Sequence, residues 1–435
     1  MNDTYITGNV AKFVHDLDLT TIPQEILSQA KHCITDNIGA ILAGLSTKTS
    51  QIVRQIDSDK GASGKSSLFG TNKKVSIGQA VFANCISASS LDIDDGHFSG
   101  GHPGSIIIPS TLAIGENYSI SGKSFIEAII VGYEVAIRAI NTVSGPSSGT
   151  GLGGTYGVAA AASKVMDFTV PQISQTIGLS SIHAPITETV TIWENGYMAK
   201  ESIGWGAVSG MESAILVNKG FTGPDKVLDK YYATSWATIG SIFEILNVYF
   251  KRYPSCRWTH TALDLTVEIM KQNLLCGKDI KNVTVATKHP HTELNSKKCI
   301  SIEQAQYSFP YVIGCVLAFG NFDWKSMNQK NLTNPKIITE SEKVSIVHES
   351  KFQSERWPAK VTIQTTDGRE FISTKIIPKG DPSDPISEKE LNNKYFDLTI
   401  PVLGQSKSEE VFECIQRIES IDDINELTSL IQPSS

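Results

Sequence analysis

A change in hydrophobic pattern near residue 270 constrains the fold of this 435-residue chain most strongly. Before it, over about 250 residues, apolar side chains recur at the three- and four-residue spacing of buried helices. Pro23 opens one such segment, in which Ile26, Ile34 and Ile38 share a face. Further helices are predicted at 75–91, 106–117, 123–141, 154–167, 170–180 and 198–219.

The pattern after residue 270 is that of mixed α and β structure. Residues 281–287 alternate like a strand, and 302–319 have helical spacing. Residues 360–365 and 370–374 flank an Asp-Gly turn, which predicts a β-hairpin. Helical spacing returns at 387–394 and 407–433. We therefore expect a mainly α protein with an α+β part: a large all-helical domain from 1–270 and 387–435, and a smaller α+β domain from 271–386.

Composition excludes several classes of function. The net charge of −7 argues against a nucleic-acid surface, which needs a basic face, and against a polybasic membrane anchor. No segment approaches the roughly 18 apolar residues of a membrane span, and no signal-peptide pattern is present. The seven cysteines are scattered and never in CxxC spacing, so a reduced, cytoplasmic protein without a zinc ribbon is expected.

Two familiar ligand-binding motifs occur in the wrong context. Residues 149–154 match GxGxxG, but a predicted helix rather than a strand precedes them, so a dinucleotide site is not expected. Residues 92–96 resemble the start of a calcium loop, but the twelfth position is Pro103 instead of a carboxylate.

One short segment concentrates groups that can transfer protons. Asp92, Asp94, Asp95, His97 and His102 fall within eleven residues, between a predicted helix and a Gly-rich turn. Crowded carboxylates raise one another's pKa, and a histidine among them can act as acid or base near neutral pH. The segment is also compatible with a solvated acidic loop or with a divalent metal site.

The run from Asp92 to Glu116 resembles the signature loop of the MmgE/PrpD family. Further blocks resemble that family in the same order: 153–162, 200–207, 220–224, 250–260 and 305–311. The family includes 2-methylcitrate dehydratase, cis-aconitate decarboxylase and iminodisuccinate epimerase. The resemblance implies a helical domain with an α+β lid, a homodimer, and an active site between the domains that uses no metal and no organic cofactor.

The resemblance also assigns candidate catalytic residues. Asp92 and His102 match the aspartate and histidine of the signature loop, Lys200 lies in the lysine block, and Tyr311 matches an aromatic hydroxyl on the lid helix. On the residues alone, Lys200 is also compatible with a solvated lysine, and Tyr311 is equally compatible with a core aromatic.

A second group of residues is expected to bind the substrate. It consists of Asp95, His97, Lys251, Arg257 and His260. Lysine and arginine would neutralise carboxylates of the substrate. The alternatives are an ordinary basic turn for Lys251 and Arg257, and a helix cap or core histidine for His260.

Two positions depart from the decarboxylase pattern. Gly96, followed by His97, stands where those enzymes have a threonine, and Ser148 stands where they have a histidine. The expected function is a lyase, a dehydratase or decarboxylase that removes a proton α to a carboxylate of a small di- or tricarboxylate. The alternatives are an epimerase of a dicarboxylate and a non-catalytic family member. Neither nucleic acid nor membrane is an expected partner.

Overall fold

The computed structural model describes residues 5–60, 64–99, 101–143, 149–187, 192, 194–231, 234–288, 292–352 and 355–432. In these ranges the helices are α1 Ile6–Asp16, α2 Gln24–Gly44, α3 Lys48–Lys60, α4 Ile77–Ser89, α5 Pro103–Tyr118, α6 Gly122–Val143, α7 Thr150–Val165, α8 Val170–His183, α9 Ile203–Asn218, α10 Thr234–Ala237, α11 Arg257–Gln272, α12 Ile302–Ala305, α13 Phe309–Phe319, α14 Gln329–Leu332, α15 Pro335–Glu342, α16 Glu388–Leu403, α17 Gln405–Gln416 and α18 Asn425–Ile431. The predicted fold class, mainly α with a smaller α+β part, is confirmed.

The larger part of the molecule is a bundle in which α6 and α7 form the closest pair. Every residue of α6 from Phe125 to Ile140 is buried. Glycine permits the close approach of the two helices, because a Cβ at Gly157 would lie 2.5 Å from the carbonyl oxygen of Gly132. The segment 149–154 forms the N-terminal cap and first turn of α7, and the element described before it is the helix α6 rather than a strand.

The smaller part is built on a four-stranded mixed sheet. Its strands are β5 Ile280–Thr287, β6 Val344–His348, β7 Ala359–Thr365 and β8 Glu370–Lys375, in the order β6-β5-β7-β8. The predicted hairpin is the antiparallel pair β7–β8, and alternate residues of β7 are buried against α11. Strand β6, which pairs with β5 in parallel, was not predicted from the sequence.

The last helices return to the bundle. α16 and α17 pack on α2, and α18 packs on α5. α11 belongs with the second core, which also contains the apolar side chains of the sheet and of α13. The division of the chain at residues 270 and 387 stays a prediction.

Two predicted helices have different bounds in the structure. The segment 198–219 becomes helical at Ile203, because Lys200 and Ser202 have left-handed backbones with φ of 43° and 55°. The segment 302–319 is split into α12 and α13, since Ser308 breaks the first helix and caps the second by accepting a hydrogen bond from the Tyr311 N–H.

Two connections bring distant segments to one place. Outside the four-stranded sheet, β1 Ser66–Ser67 pairs with β2 Lys74–Val75, and β3 Gly96–His97 pairs with β4 Val248–Tyr249, each in an antiparallel ribbon. On another side, the Gln306 side chain donates to the Ser90 carbonyl at 2.7 Å, and the Cys256 N–H donates to the Gln306 carbonyl at 2.8 Å. The segment that follows α4 is therefore held against both the 248–257 segment and the turn between α12 and α13.

Across the described ranges, no helix combines the length and the apolar character needed to cross a bilayer.

Candidate active site

The Asp92 carboxylate is the centre of a buried cluster of charges. Asp92 follows α4 and has a left-handed backbone, with φ of 54°. One oxygen, Oδ1, lies 3.3 Å from Lys200 Nζ, and the other, Oδ2, lies 3.1 Å from Lys251 Nζ. His102 Nε2 lies 3.8 Å from Oδ1. Segments about 100 and 150 residues apart along the chain thus converge on one carboxylate.

Each ammonium also donates to a main-chain carbonyl. Lys200 donates to Ser89 at 2.7 Å, and Lys251 donates to Asp92 itself at 3.1 Å. Burial alone would raise the pKa of the Asp92 carboxyl, but Lys200, Lys251 and His102 outweigh burial and hold this pKa well below its usual range. Asp92 is therefore an anion that keeps three cationic side chains together.

His102 is oriented by Asp94. Its Nδ1 lies 3.0 Å from Asp94 Oδ2, while Nε2 lies 3.8 Å from Asp92 and 3.9 Å from Glu201 Oε1. Burial and the charge of Lys251 lower the pKa of this imidazole. The carboxylates of Asp94 and Glu201 raise it by more, so the pKa of His102 lies above its usual value. The structure therefore favours an imidazolium whose Nε2–H is the proton available for transfer.

Glu201 is fixed by the start of α7. Its Oε2 accepts hydrogen bonds from the Thr150 N–H at 2.8 Å and from the Thr150 hydroxyl. The Thr150 hydroxyl oxygen also accepts from the His102 N–H at 3.0 Å. Thr150 therefore connects the backbone of His102 to the carboxylate that faces its imidazole.

Arg257 supplies a further buried cation. Its guanidinium donates to the carbonyls of Lys379 and Pro378, at 3.2 and 3.3 Å, and lies 4.4 Å from the centre of the Tyr249 ring. Among the described residues, no carboxylate lies within ion-pair distance of it. Burial lowers the pKa of Arg257, since charge is costly away from water. A guanidinium in this state is suited to receive an anion.

His260 lies beside Arg257 as a neutral base. Its Nε2–H donates to the Ser255 carbonyl at 3.1 Å, and its Nδ1 faces Arg257 at 3.4 Å. Burial, with Arg257 and Lys251 nearby, holds the pKa of His260 well below the usual value. A neutral imidazole in contact with Arg257 is not suited to act as an acid, and the substrate-binding role of His260 stays a prediction.

Tyr249 explains why residue 96 is a glycine. A Cβ at Gly96 would lie 2.4 Å from the Tyr249 hydroxyl oxygen and 2.5 Å from the ring carbon that carries it. The tyrosine therefore occupies the space that a threonine side chain at position 96 would need. Tyr249 is buried, and the pKa of its phenol is raised by burial.

Two tyrosines near α13 differ in their surroundings. The charged groups that act on the buried Tyr307 hydroxyl include Asp92 and Glu201, whereas the neighbours of the Tyr311 hydroxyl are the Cys315 and Cys299 thiols. Tyr307 is thus under the electrostatic influence of the charge cluster, whereas the Tyr311 hydroxyl lies beside thiol groups. The catalytic role of Tyr311 stays a prediction.

Two predicted substrate-binding residues have protein partners. Asp95 accepts from the Tyr133 hydroxyl at 2.7 Å and from the Gly104 N–H at 2.9 Å, and burial raises its pKa to about 7. His97 Nε2 lies 3.5 Å from Glu244. These contacts hold the loop on both sides, and the binding roles of both residues stay predictions.

The cluster has the spacing of a metal site. Asp92, Asp94 and His102 each place one ligand atom within 4.8 Å of the others. A divalent cation there would share Asp92 with the ammonium groups of Lys200 and Lys251, and like charges around one carboxylate repel. The charge pattern favours an organic anion over a metal ion, and the expectation of a metal-free site stays a prediction.

The structure thus gathers four of the predicted site residues around one point: Asp92, His102, Lys200 and Lys251. Asp94 was predicted only as part of the loop, with no role of its own, and Thr150, Glu201, Tyr249 and Tyr307 were not predicted. Asp94 and Glu201 could have been suspected, since each adjoins a chosen residue, but only the backbone turn shows which carboxylate faces the imidazole. Ser148, the second departure from the decarboxylase pattern, lies outside the described residues.

Comparison with known proteins accounts for nearly the whole chain. Residues 8–241 match the MmgE/PrpD N-terminal domain, and residues 253–419 match the MmgE/PrpD C-terminal domain. The chain belongs to the MmgE/PrpD family. This confirms the resemblance inferred from the sequence blocks.

Similar members of the MmgE/PrpD family are named cis-aconitate decarboxylases. The human protein is 24% identical, and the alignment covers 99% of this chain and 95% of the relative. The Mus musculus protein is 23% identical, with coverage of 99% and 94%. An Aspergillus terreus protein is 22% identical, with coverage of 98% and 96%.

Proposed function

We propose that this protein is a lyase that decarboxylates or dehydrates a small tricarboxylate, with His102 as the proton donor. One observation carries the proposal: His102 is bound through Nδ1 to Asp94, its pKa is raised, and its Nε2 lies 3.8 Å from Asp92, the carboxylate that Lys200 and Lys251 also contact. A fixed imidazolium beside cations is suited to deliver a proton to a substrate that is held by its carboxylates.

The cations would bind the substrate carboxylates and stabilise the developing charge. Lys200 and Lys251 lie on either side of Asp92, and Arg257 has no carboxylate partner among the described residues. In a decarboxylation, the C–C bond breaks, CO2 leaves, and the electron pair left on carbon takes the proton from Nε2. In a dehydration, a base removes the α-proton, and the departing hydroxyl takes the proton from Nε2.

The family members named as cis-aconitate decarboxylases support a tricarboxylate substrate. The Tyr249 ring occupies the space next to Gly96, so the shape of this site differs from that of a site with threonine at position 96. We therefore propose the chemistry shared by both lyase reactions and leave the substrate to experiment. A homodimer without metal or organic cofactor is part of the proposal.

The test is to incubate the protein in D2O with cis-aconitate, citrate and 2-methylcitrate in turn and to follow each by proton NMR. A lyase should form a product from at least one of them. A decarboxylation product should carry one solvent deuterium, whereas a dehydration product should have lost the elements of water. Deuterium exchange or inversion at the α-carbon of substrate, without a second product, would indicate epimerisation and overturn the lyase proposal. The absence of any reaction or exchange with a wider panel of di- and tricarboxylates would support a non-catalytic family member.

A further inference from the structure

A lysine outside the charge cluster contacts the same loop. Lys394, on α16, donates to the Ile93 carbonyl at 2.6 Å and lies 2.5 Å from Asp36 Oδ1 on α2. Asp36 is fully buried, and the Lys394 side chain is 11% exposed. Ile93 is the residue between Asp92 and Asp94, so Lys394 contacts the short backbone segment that joins these two carboxylates.

The loop is held by two ammonium groups at consecutive peptides. Lys251 donates to the Asp92 carbonyl, and Lys394 donates to the Ile93 carbonyl. The left-handed turn at Asp92 directs its carboxylate to Lys200 and Lys251, while Asp94 is directed to His102. A shift of the Ile93 peptide would therefore move both carboxylates relative to the imidazole.

The support for Lys394 comes from the helical bundle. α16 packs along α2, and its first turn is fixed by a capping box between Ser387 and Glu390. Asp36 balances the charge of Lys394, so the pair adds a hydrogen bond to the loop and little net charge to the site.

We propose that Lys394 is a positioning residue: through the Ile93 carbonyl it fixes the relative orientation of Asp92 and Asp94, and hence of His102. This inference rests on the proposed proton-transfer function. It assigns α16 a role in the chemistry of a site that this helix does not line.

The test uses two variants and a matched control. Lys394→Met removes the hydrogen bond and leaves Asp36 buried without a cation, so both stability and turnover should fall. In the double variant Asp36→Asn/Lys394→Met, the unpaired buried carboxylate is gone, but the Ile93 carbonyl still lacks its donor. The control is Lys31→Met. Lys31 also joins α2 to the C-terminal segment, through a carbonyl of Gln416 and the Glu419 carboxylate, with a side chain 13% exposed, but it does not touch the loop.

Lys394→Met should lower kcat by about tenfold or more, because small misplacements of catalytic groups are costly, while KM changes little. The double variant should recover most of the lost Tm and keep the low kcat. Lys31→Met should lower Tm with kcat near wild type. Recovery of kcat together with Tm in the double variant, or an equal loss of kcat in Lys31→Met, would show that Lys394 is merely structural.

A readout without substrate separates this inference from the proposed function. The His97 N–H donates to the Gly101 carbonyl, and the Gly104 N–H donates to Asp95, so both amides report on the loop. Their hydrogen exchange should be faster in Lys394→Met and in the double variant, and unchanged in Lys31→Met. Faster exchange in a protein that converts no tricarboxylate would leave the positioning contact standing and reject the proposed reaction. Unchanged exchange in the double variant would overturn the positioning role, whatever the activity.

Discussion

Replacing Asp92 by asparagine tests the claim that one carboxylate holds the charge cluster together. Asn has nearly the same shape and tolerates the left-handed backbone that Asp92 adopts, with φ of 54°. The substitution therefore removes the charge and leaves the turn. Lys200 and Lys251, both buried, lose the anion that lies 3.3 and 3.1 Å from their ammonium nitrogens.

The size of the effect follows from these contacts. Removing one partner of a buried ion pair costs about 3–5 kcal/mol, because the remaining charge is left without compensation in a region poor in water. Lys200 retains the Ser89 carbonyl and Lys251 retains the Asp92 carbonyl, so the lower end of that range is expected. We expect Asp92→Asn to reduce the free energy of unfolding at pH 7 by about 3 kcal/mol.

The assay is urea denaturation followed by circular dichroism. Asp384→Asn is the control, since Asp384 also pairs with two lysines but is 38% exposed. This substitution should reduce the free energy of unfolding by less than about 1 kcal/mol. The pKa of Asp92 is lowered in the folded state. The ionised carboxylate therefore stabilises the folded protein at pH values above the ordinary aspartate pKa of about 3.9, and this stabilisation is lost as the pH falls below that value. A reduction of the free energy of unfolding by less than about 1 kcal/mol in Asp92→Asn at pH 7 would refute the reasoning. A difference in stability between wild type and Asp92→Asn that became larger in acid would also refute it.

Three further predictions concern substrate binding, the two tyrosines near α13 and metal. Arg257→Met should raise KM by about tenfold or more with a smaller change in kcat, because a charge-assisted hydrogen bond to a substrate carboxylate is lost. Steady-state kinetics measure this, and an unchanged KM would contradict the prediction. Tyr307→Phe should lower kcat more than Tyr311→Phe does, because only Tyr307 lies within the field of the cluster; equal effects would contradict this placement. Dialysis against EDTA should leave activity unchanged, whereas loss of activity that zinc or magnesium restores would make the Asp92 cluster a metal site.

The sequence predicts the helices of the bundle well because their apolar faces are long and regular. α2, α5 and α6 have the predicted positions within a few residues. The prediction of helix bounds is wrong where a left-handed residue or a helix cap interrupts the periodic pattern. Left-handed residues delay the start of α9 at Ile203, and the Ser308 cap divides one predicted helix into two. The strand β6 was missed because only Val344, its first residue, is buried, which leaves little alternation to detect.

For the site, residue type indicated the right loop but not the direction of its side chains. Three aspartates in four positions are chemically equivalent in the sequence. The turn at Asp92 sends it to the lysines, Asp94 to His102, and Asp95 to Tyr133. Tyr307 and Tyr311 are four residues apart in the sequence and also have different surroundings, because Tyr307 lies in the turn before Ser308 and Tyr311 lies on α13. Such choices are made by long-range packing, which the local sequence does not contain.

The central claim is that His102 donates the proton, and the pH dependence of kcat/KM for wild type and His102→Gln tests it most directly. Glutamine can keep a hydrogen bond to Asp94 but cannot transfer a proton. The wild-type kcat/KM should fall as the pH rises through the raised pKa of His102, since the acid form is then lost. His102→Gln should remain folded, should lose about 100-fold or more in kcat, and should no longer show that titration. A His102→Gln variant with full turnover, or one that retains the same pH profile, would contradict the account.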